Sequence, residues 1–214
     1  MSMLRKVLLS AAGVLLCAGS ANATVFTFDR ITNNGNPNIS GQLSVDVTEG
    51  AGNTVDFLFK NNVGTASSIT EIYFDDGTLL GISSVTNGAG TNFEGGSASP
   101  GNLPGGSSMA NPFMTTAGFL AESSGANAKG INAASEYVKI TFNLIGGKTF
   151  ADTIVALQGG VDLRIGLHVR SIGGPDGGSD SYVNDVTAVP DGGMTLSLLG
   201  LALAGMGLVA RRTN

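Results

Sequence analysis

Oxygen donors dominate the chemistry that this sequence can offer. Asp75-Asp76-Gly77 and Pro175-Asp176-Gly177-Gly178-Ser179-Asp180 place carboxylates beside glycines. Asp and Gly tolerate the positive φ of tight turns, so both runs are most simply β-turns. The same residues could surround calcium, a hard cation that takes several oxygens, backbone carbonyls among them. Asp75, Asp76, Asp176 and Asp180 are the candidate ligands, and neither run has the spacing of a known calcium loop. A glycosidase needs two carboxylates across a cleft, and no pair here stands out.

Nitrogen and sulfur offer less. His168 is the only histidine and Cys17 the only cysteine, too few for a usual zinc site. A general base at His168 would need a carboxylate to orient it. His168 lies between Gly166 and Arg170 on the polar side of an alternating run, where an exposed strand histidine is expected. Tryptophan is absent, and Tyr73, Tyr137 and Tyr182 make a thin platform for stacking sugars.

The elements that must position these residues are strands. Leu43, Val45 and Val47 alternate with Ser44, Asp46 and Thr48; Val55, Phe57 and Phe59 continue after the turn at 49–53. Val138, Ile140, Phe142 and Leu144 alternate in the same way, as do Val161, Leu163, Ile165, Leu167 and Val169. A period of two with one polar side means antiparallel strands half in the core. Further strands are expected at Val25–Phe28, Ile69–Phe74, Leu79–Val85 and Tyr182–Thr187. About eight strands with glycine-rich turns predict an all-β antiparallel β-sandwich, jelly-roll-like, with one short helix. The helix is expected from Phe150 to Leu157, with Thr149 capping, Asp152 at its third position and Gly159-Gly160 after it. Between Asn87 and Ser135 the chain is rich in Gly, Ser, Asn and Ala. Phe93, Phe113, Met114 and Phe119 should anchor this excursion to the surface, with short strands inside it.

Both chain ends have a different character. Arg5 and Lys6 precede the apolar run Val7–Ala18, and Ala21-Asn22-Ala23 follows as a small-residue exit. This order is that of a secretory signal over residues 1–23, with Ala21 and Ala23 framing the cleavage site and Thr24 starting the mature chain. Such a segment engages the Sec machinery and signal peptidase. At the far end, Met194–Ala210 is free of charge and Arg211-Arg212 follows. A helix there spans roughly 25 Å at ~1.5 Å per residue, near the lower limit for a bilayer core of about 30 Å. The arginines would remain on the cytoplasmic side. Pro190 and Gly192-Gly193 keep the backbone ahead of that helix extended and open to a processing enzyme.

The tail, Val189-Pro190-Asp191-Gly192-Gly193, then an apolar helix at 194–210, then Arg211 and Arg212, resembles the PEP-CTERM class of sorting signal in its VPDSG/VPDGG variant. The resemblance implies that residues 189–214 are recognised by an exosortase, a membrane protease-transpeptidase. The runs FDDGTLLG (74–81), SPGNLPGG (99–106), LRIGLHVRSI (163–172) and GGSDSYVND (177–185) are similar to segments of an exported PEP-CTERM protein group. No enzymatic activity follows from that likeness.

One domain of residues 24–188 is left between the two signals, long enough for a single core. From Thr24 to Pro190 there are seven basic and fifteen acidic side chains, a net charge of −8. That surface repels nucleic acid and anionic lipid. Without cysteine, an exported body must be held by packing or bound ions. The expectation is a Sec-exported protein, attached transiently to the inner membrane and then moved to the cell surface or extracellular matrix. A structural or interaction role without catalysis is expected, exopolysaccharide being a possible partner. The alternatives are a carbohydrate-binding module and, third, a secreted glycan-acting hydrolase.

Overall fold

A computed structural model describes residues 23–77, 79–96, 101–121 and 126–190. Ala21, the signal segment 1–22, Asp191, Gly192, Gly193, the apolar run 194–210, Arg211 and Arg212 lie outside the described residues. The strands are β1 (Thr24–Arg30), β2 (Leu43–Gly50), β3 (Thr54–Asn61), β4 (Ser68–Asp76), β5 (Leu80–Asn87), β6 (Phe93–Gly95), β7 (Ala117–Ala121), β8 (Tyr137–Leu144), β9 (Leu163–Ile172) and β10 (Gly178–Pro190). A single turn of helix, α1 (Ala126–Lys129), joins the expected helix α2 (Phe150–Gly159). The class is all-β, and every strand pairing is antiparallel.

All ten strands of the described residues belong to one sheet, in the order β5-β8-β3-β2-β1-β10-β9-β4-β7-β6. The sheet curls until its two edges meet. Asn87 at the end of β5 donates to the Phe93 carbonyl at 3.0 Å, and Phe93 N donates back to Asn87 Oδ1 at 2.7 Å. Curling encloses the apolar side of each strand. Phe57 of β3 and Phe74 of β4, far apart in strand order, meet edge to face at 5.1 Å. Phe74 also touches Phe59, Phe119 and Phe142, so one ring joins strands from both halves of the sheet. Edge-to-face pairs add about 0.5–1.5 kcal/mol each beyond area burial.

The alternation is plainest in β2 and β3, where Val45, Val47, Val55, Phe57 and Phe59 are fully buried and their polar neighbours half-buried. Strand β9 departs from it. It begins at Leu163 rather than Val161, which is 64 % exposed, and residues 163–169 are buried on both sides. The expected polar side is real but covered. Leu103 and Phe113 pack with Tyr73 and Val183 in a second apolar cluster on that side. Gly166 permits this approach, because a Cβ there would stand 2.7 Å from Leu103 Cδ2.

The 87–135 segment rejoins the sheet through β6 and β7 and lays residues 101–116 over β9. Phe93, Phe113 and Phe119 are buried, whereas Met114 is 65 % exposed and anchors nothing. The backbone N–H of Met114 instead donates to Asp75 Oδ2 at 3.0 Å. Helix α2 starts with the capping box: Asp152 N donates to Thr149 Oγ1, and Thr149 N donates to Asp152 Oδ2. It stops at Gly160, which is left-handed at φ 65°. Strand β10 is longer than Tyr182–Thr187 and runs two residues past the expected domain limit at 188, into the Val189-Pro190 pair.

Candidate functional site

His168 is buried, not exposed. Strand register sets it between Glu71 of β4 and Ser181 of β10, in one row across three strands. A bulge between Ile69 and Glu71 brings the carboxylate into that row. His168 Nδ1 lies 2.8 Å from Glu71 Oε2, and Arg170 Nη2 donates to Glu71 Oε1 at 2.7 Å. Thr70 Oγ1 adds a third donor, at 2.6 Å. Glu71 is fully buried, and its two oxygens are met by a guanidinium, an imidazole and a hydroxyl. Burying a carboxylate is costly unless it is paired in this way.

Serine, histidine and a carboxylate in one row resemble the parts of a nucleophilic site. Access decides the chemistry. Ser181 has no exposed surface and His168 is 7 % exposed, and Ser181 Oγ makes no hydrogen bond to His168 or to any other group. As it stands, this row offers no surface on which a substrate can meet the hydroxyl.

Asp75 and Asp76 are occupied by the fold. Asp75 pairs with the buried Arg164, whose Nη1 and Nη2 also donate to the carbonyls of Asn111 and Pro112 at 2.7 and 2.6 Å. Its guanidinium lies 5.2 Å from the centre of the Phe113 ring. Asp76 accepts from Leu79 N and Leu80 N and so builds the turn into β5. Burial raises the Asp76 pKa above its ordinary value, against the pull of those two N–H donors.

At the other end of β9, Asp180 is buried and organises residues 32–36. It accepts from Thr32 Oγ1 at 2.9 Å, Asn34 N at 3.0 Å and Asn36 Nδ2 at 3.0 Å. Asp176 is exposed in the β9–β10 connection. The four candidate ligands therefore form two separate groups at opposite ends of β9. Among the described residues no three His, Cys, Asp or Glu side chains are grouped to hold a metal ion.

A cleft of about 540 Å³ lies beside the first group, lined by Asp75, Asp76, Lys148, Asp152, Val155 and Asp162, among others. Three of its carboxylates already serve Arg164, the 79–80 turn and the α2 cap. Of the tyrosines, Tyr73 and Tyr182 are fully buried, and burial pushes the Tyr182 hydroxyl up to about 12. Tyr137 alone presents a ring to solvent, at 39 % exposure.

Of the expected processing residues, Ala23 directly precedes β1, Thr24 opens it, and Val189 and Pro190 close β10. Thr24 pairs with Pro190 and Val25 with Val189. Glu71 is the residue that sequence inspection missed. It lies in the short run Ser68–Asp76, and only the register of β4 on β9 marks it. Compared with protein-family models, curated proteins and solved structures, the chain matches none of them.

Proposed function

We propose that this chain is an exported protein, sorted by an exosortase to the cell surface or extracellular matrix, with a structural or interaction role and no catalysis. Its body is a jelly-roll-like sandwich made by the two halves of the curled sheet. The observation that carries this is where the strands lie along the chain. The first strand begins at Thr24, one residue after the expected signal exit, and the last reaches Val189-Pro190 of the expected sorting motif, where the described residues stop. A body whose strands fill the interval between two processing signals is what such a protein needs. In this reading the closed Ser181–His168–Glu71 row is a structural element of the sheet.

The test is a double variant, Pro190→Ala with Asp191→Ala, in a host with the matching exosortase. A membrane anchor inserts by apolar area, which this change leaves alone. The unmodified chain should lose its tail and appear outside the cell or on its surface, and the variant should stay membrane-bound at full length. Equal processing of the two, or none of either, would leave a simple anchor.

A carbohydrate-binding module is the second candidate. It is favoured by the outer side of β2, β3 and β8, where Ser44, Lys60 and Tyr137 lie in register and stay at least partly open. Reproducible millimolar-or-better binding on a glycan array would favour it over a purely structural protein.

A further inference from the structure

A second pocket, of about 410 Å³, lies between residues 63–68, α1 and the β9–β10 connection, and has a different chemistry. Its size is that of a small-molecule site. Among the described residues no charged side chain lines it. Its aliphatic walls are Val63, Ala66, Ala128 and Pro175, and hydroxyls and amides from Ser67, Ser68, Ser171, Asn127 and Asn132 stand between them.

Two neighbouring serines show what is unusual here. Ser67 Oγ is fully used: it accepts from Gln42 Nε2 and Asn61 Nδ2, and donates to the Thr65 carbonyl. Ser68 is 2 % exposed and its Oγ has no hydrogen-bond partner. A buried hydroxyl without a partner costs free energy, and each such group in a native fold calls for an explanation. Beside Ser68, next to Arg170 with which it pairs, Ser171 is held at φ 54°, a conformation that favours glycine. Gly174 N donates to its carbonyl at 3.0 Å, and Gly173 N donates to the Ala66 carbonyl at 2.8 Å. The second bond extends the β4–β9 pairing and fixes residues 66–68 beside residues 171–174.

We propose that this pocket is a binding site for one neutral, hydroxyl-rich ligand, a single uncharged sugar residue. A charged ligand would find no counter-ion among the described residues, and a purely apolar one would cover the Asn127 amide and leave the Ser68 hydroxyl without a partner. A pyranose ring presents C–H faces to Val63, Ala66 and Pro175, and hydroxyls to the serines and asparagines. This site is separate from the open sheet side around Tyr137 and does not depend on the sorting signal.

The test is saturation-transfer NMR on the full chain in mild detergent. The probes are methyl glycosides of glucose, galactose and mannose, N-acetylglucosamine, and glucuronate as the charged counterpart. At least one neutral sugar should bind in roughly the millimolar range, more tightly than glucuronate. Ala128→Phe and Ala66→Trp, at exposed positions on opposite walls, should each weaken it about tenfold or more without lowering Tm. Ser68→Ala should weaken it several-fold, again with Tm maintained. The proposal is overturned if no neutral sugar binds, or if glucuronate binds as well. Undiminished binding in both wall variants, or in Ser68→Ala, would also overturn it.

Discussion

Thr24, the first residue of β1, stands opposite Pro190, the last residue of β10. The next pair inward is Val25 with Val189, and Val25 also faces Asp46 of β2. The first two residues of the expected sorting motif are therefore strand-paired, although a protease must read extended and unpaired backbone. If the chain is sorted as proposed, opening the end of the β1–β10 ladder is a step in that processing. Val25→Pro removes a ladder hydrogen bond and should loosen this end. In a host with the matching exosortase, pulse-chase labelling should show faster loss of the tail than in the unmodified chain. Unchanged kinetics would mean that the motif is read without opening the ladder.

Arg164 holds residues 111–113 against the sheet through two carbonyls, Asp75 and the face of Phe113. A planar fork can serve these acceptors together and a methionine can serve none. Arg164→Met should cut hydrogen-exchange protection across residues 101–116 by about tenfold or more and leave β2, β3 and β8 as they were. Equal loss in both regions would mean that Arg164 supports the whole fold rather than this cover.

The same cover explains how far sequence alone could go. Strands β2, β3 and β8 were legible because their outer sides remain at least partly open, so polar residues stayed at every second position except Leu58. Strand β9 kept that pattern by residue type and lost it in burial, because its cover comes from 101–116, a segment without periodicity. Gly166 was the available hint, since a glycine inside a strand often marks a close approach. Helix α2 was legible from Thr149, Asp152 and the glycines after it, where backbone chemistry is local. The pairing of Glu71 with His168 was not, because it rests on a bulge and a register between strands about a hundred residues apart.

Glu71 and Asp46 give contrasting tests of charge pairing. Glu71 is fully buried under His168 and Arg170, so Glu71→Ala leaves a guanidinium and an imidazole without their acceptor. A loss of about 3–5 kcal/mol in denaturant melts is expected. Asp46 pairs with Lys60, whose side chain is 37 % exposed, and Lys60→Ala should cost less than about 1 kcal/mol. Similar losses for the two would mean that Glu71 contributes no more than a surface ion pair.

Asp152 and Asp76 should shape the acid limb of stability in opposite directions. The Thr149 side chain and then its backbone N–H hold the Asp152 pKa below the ordinary 3.8. A carboxyl depressed by folding adds stability above its unfolded value, and that contribution is lost as pH falls through the folded one. Burial raises Asp76 above 3.8, so the native state binds its proton more tightly than the unfolded chain does. Stability from that group grows as pH falls through the raised value and levels off below 3.8. Denaturant melts from neutral pH to strong acid separate the two. Thr149→Ala should cost about 0.5–2 kcal/mol at neutral pH, the gap narrowing only below the ordinary carboxylate range. The unmodified chain should instead gain on Asp76→Asn above that range, as Asp76 takes up its proton. Curves that stay parallel would mean that neither carboxyl titrates differently in the folded and unfolded chain.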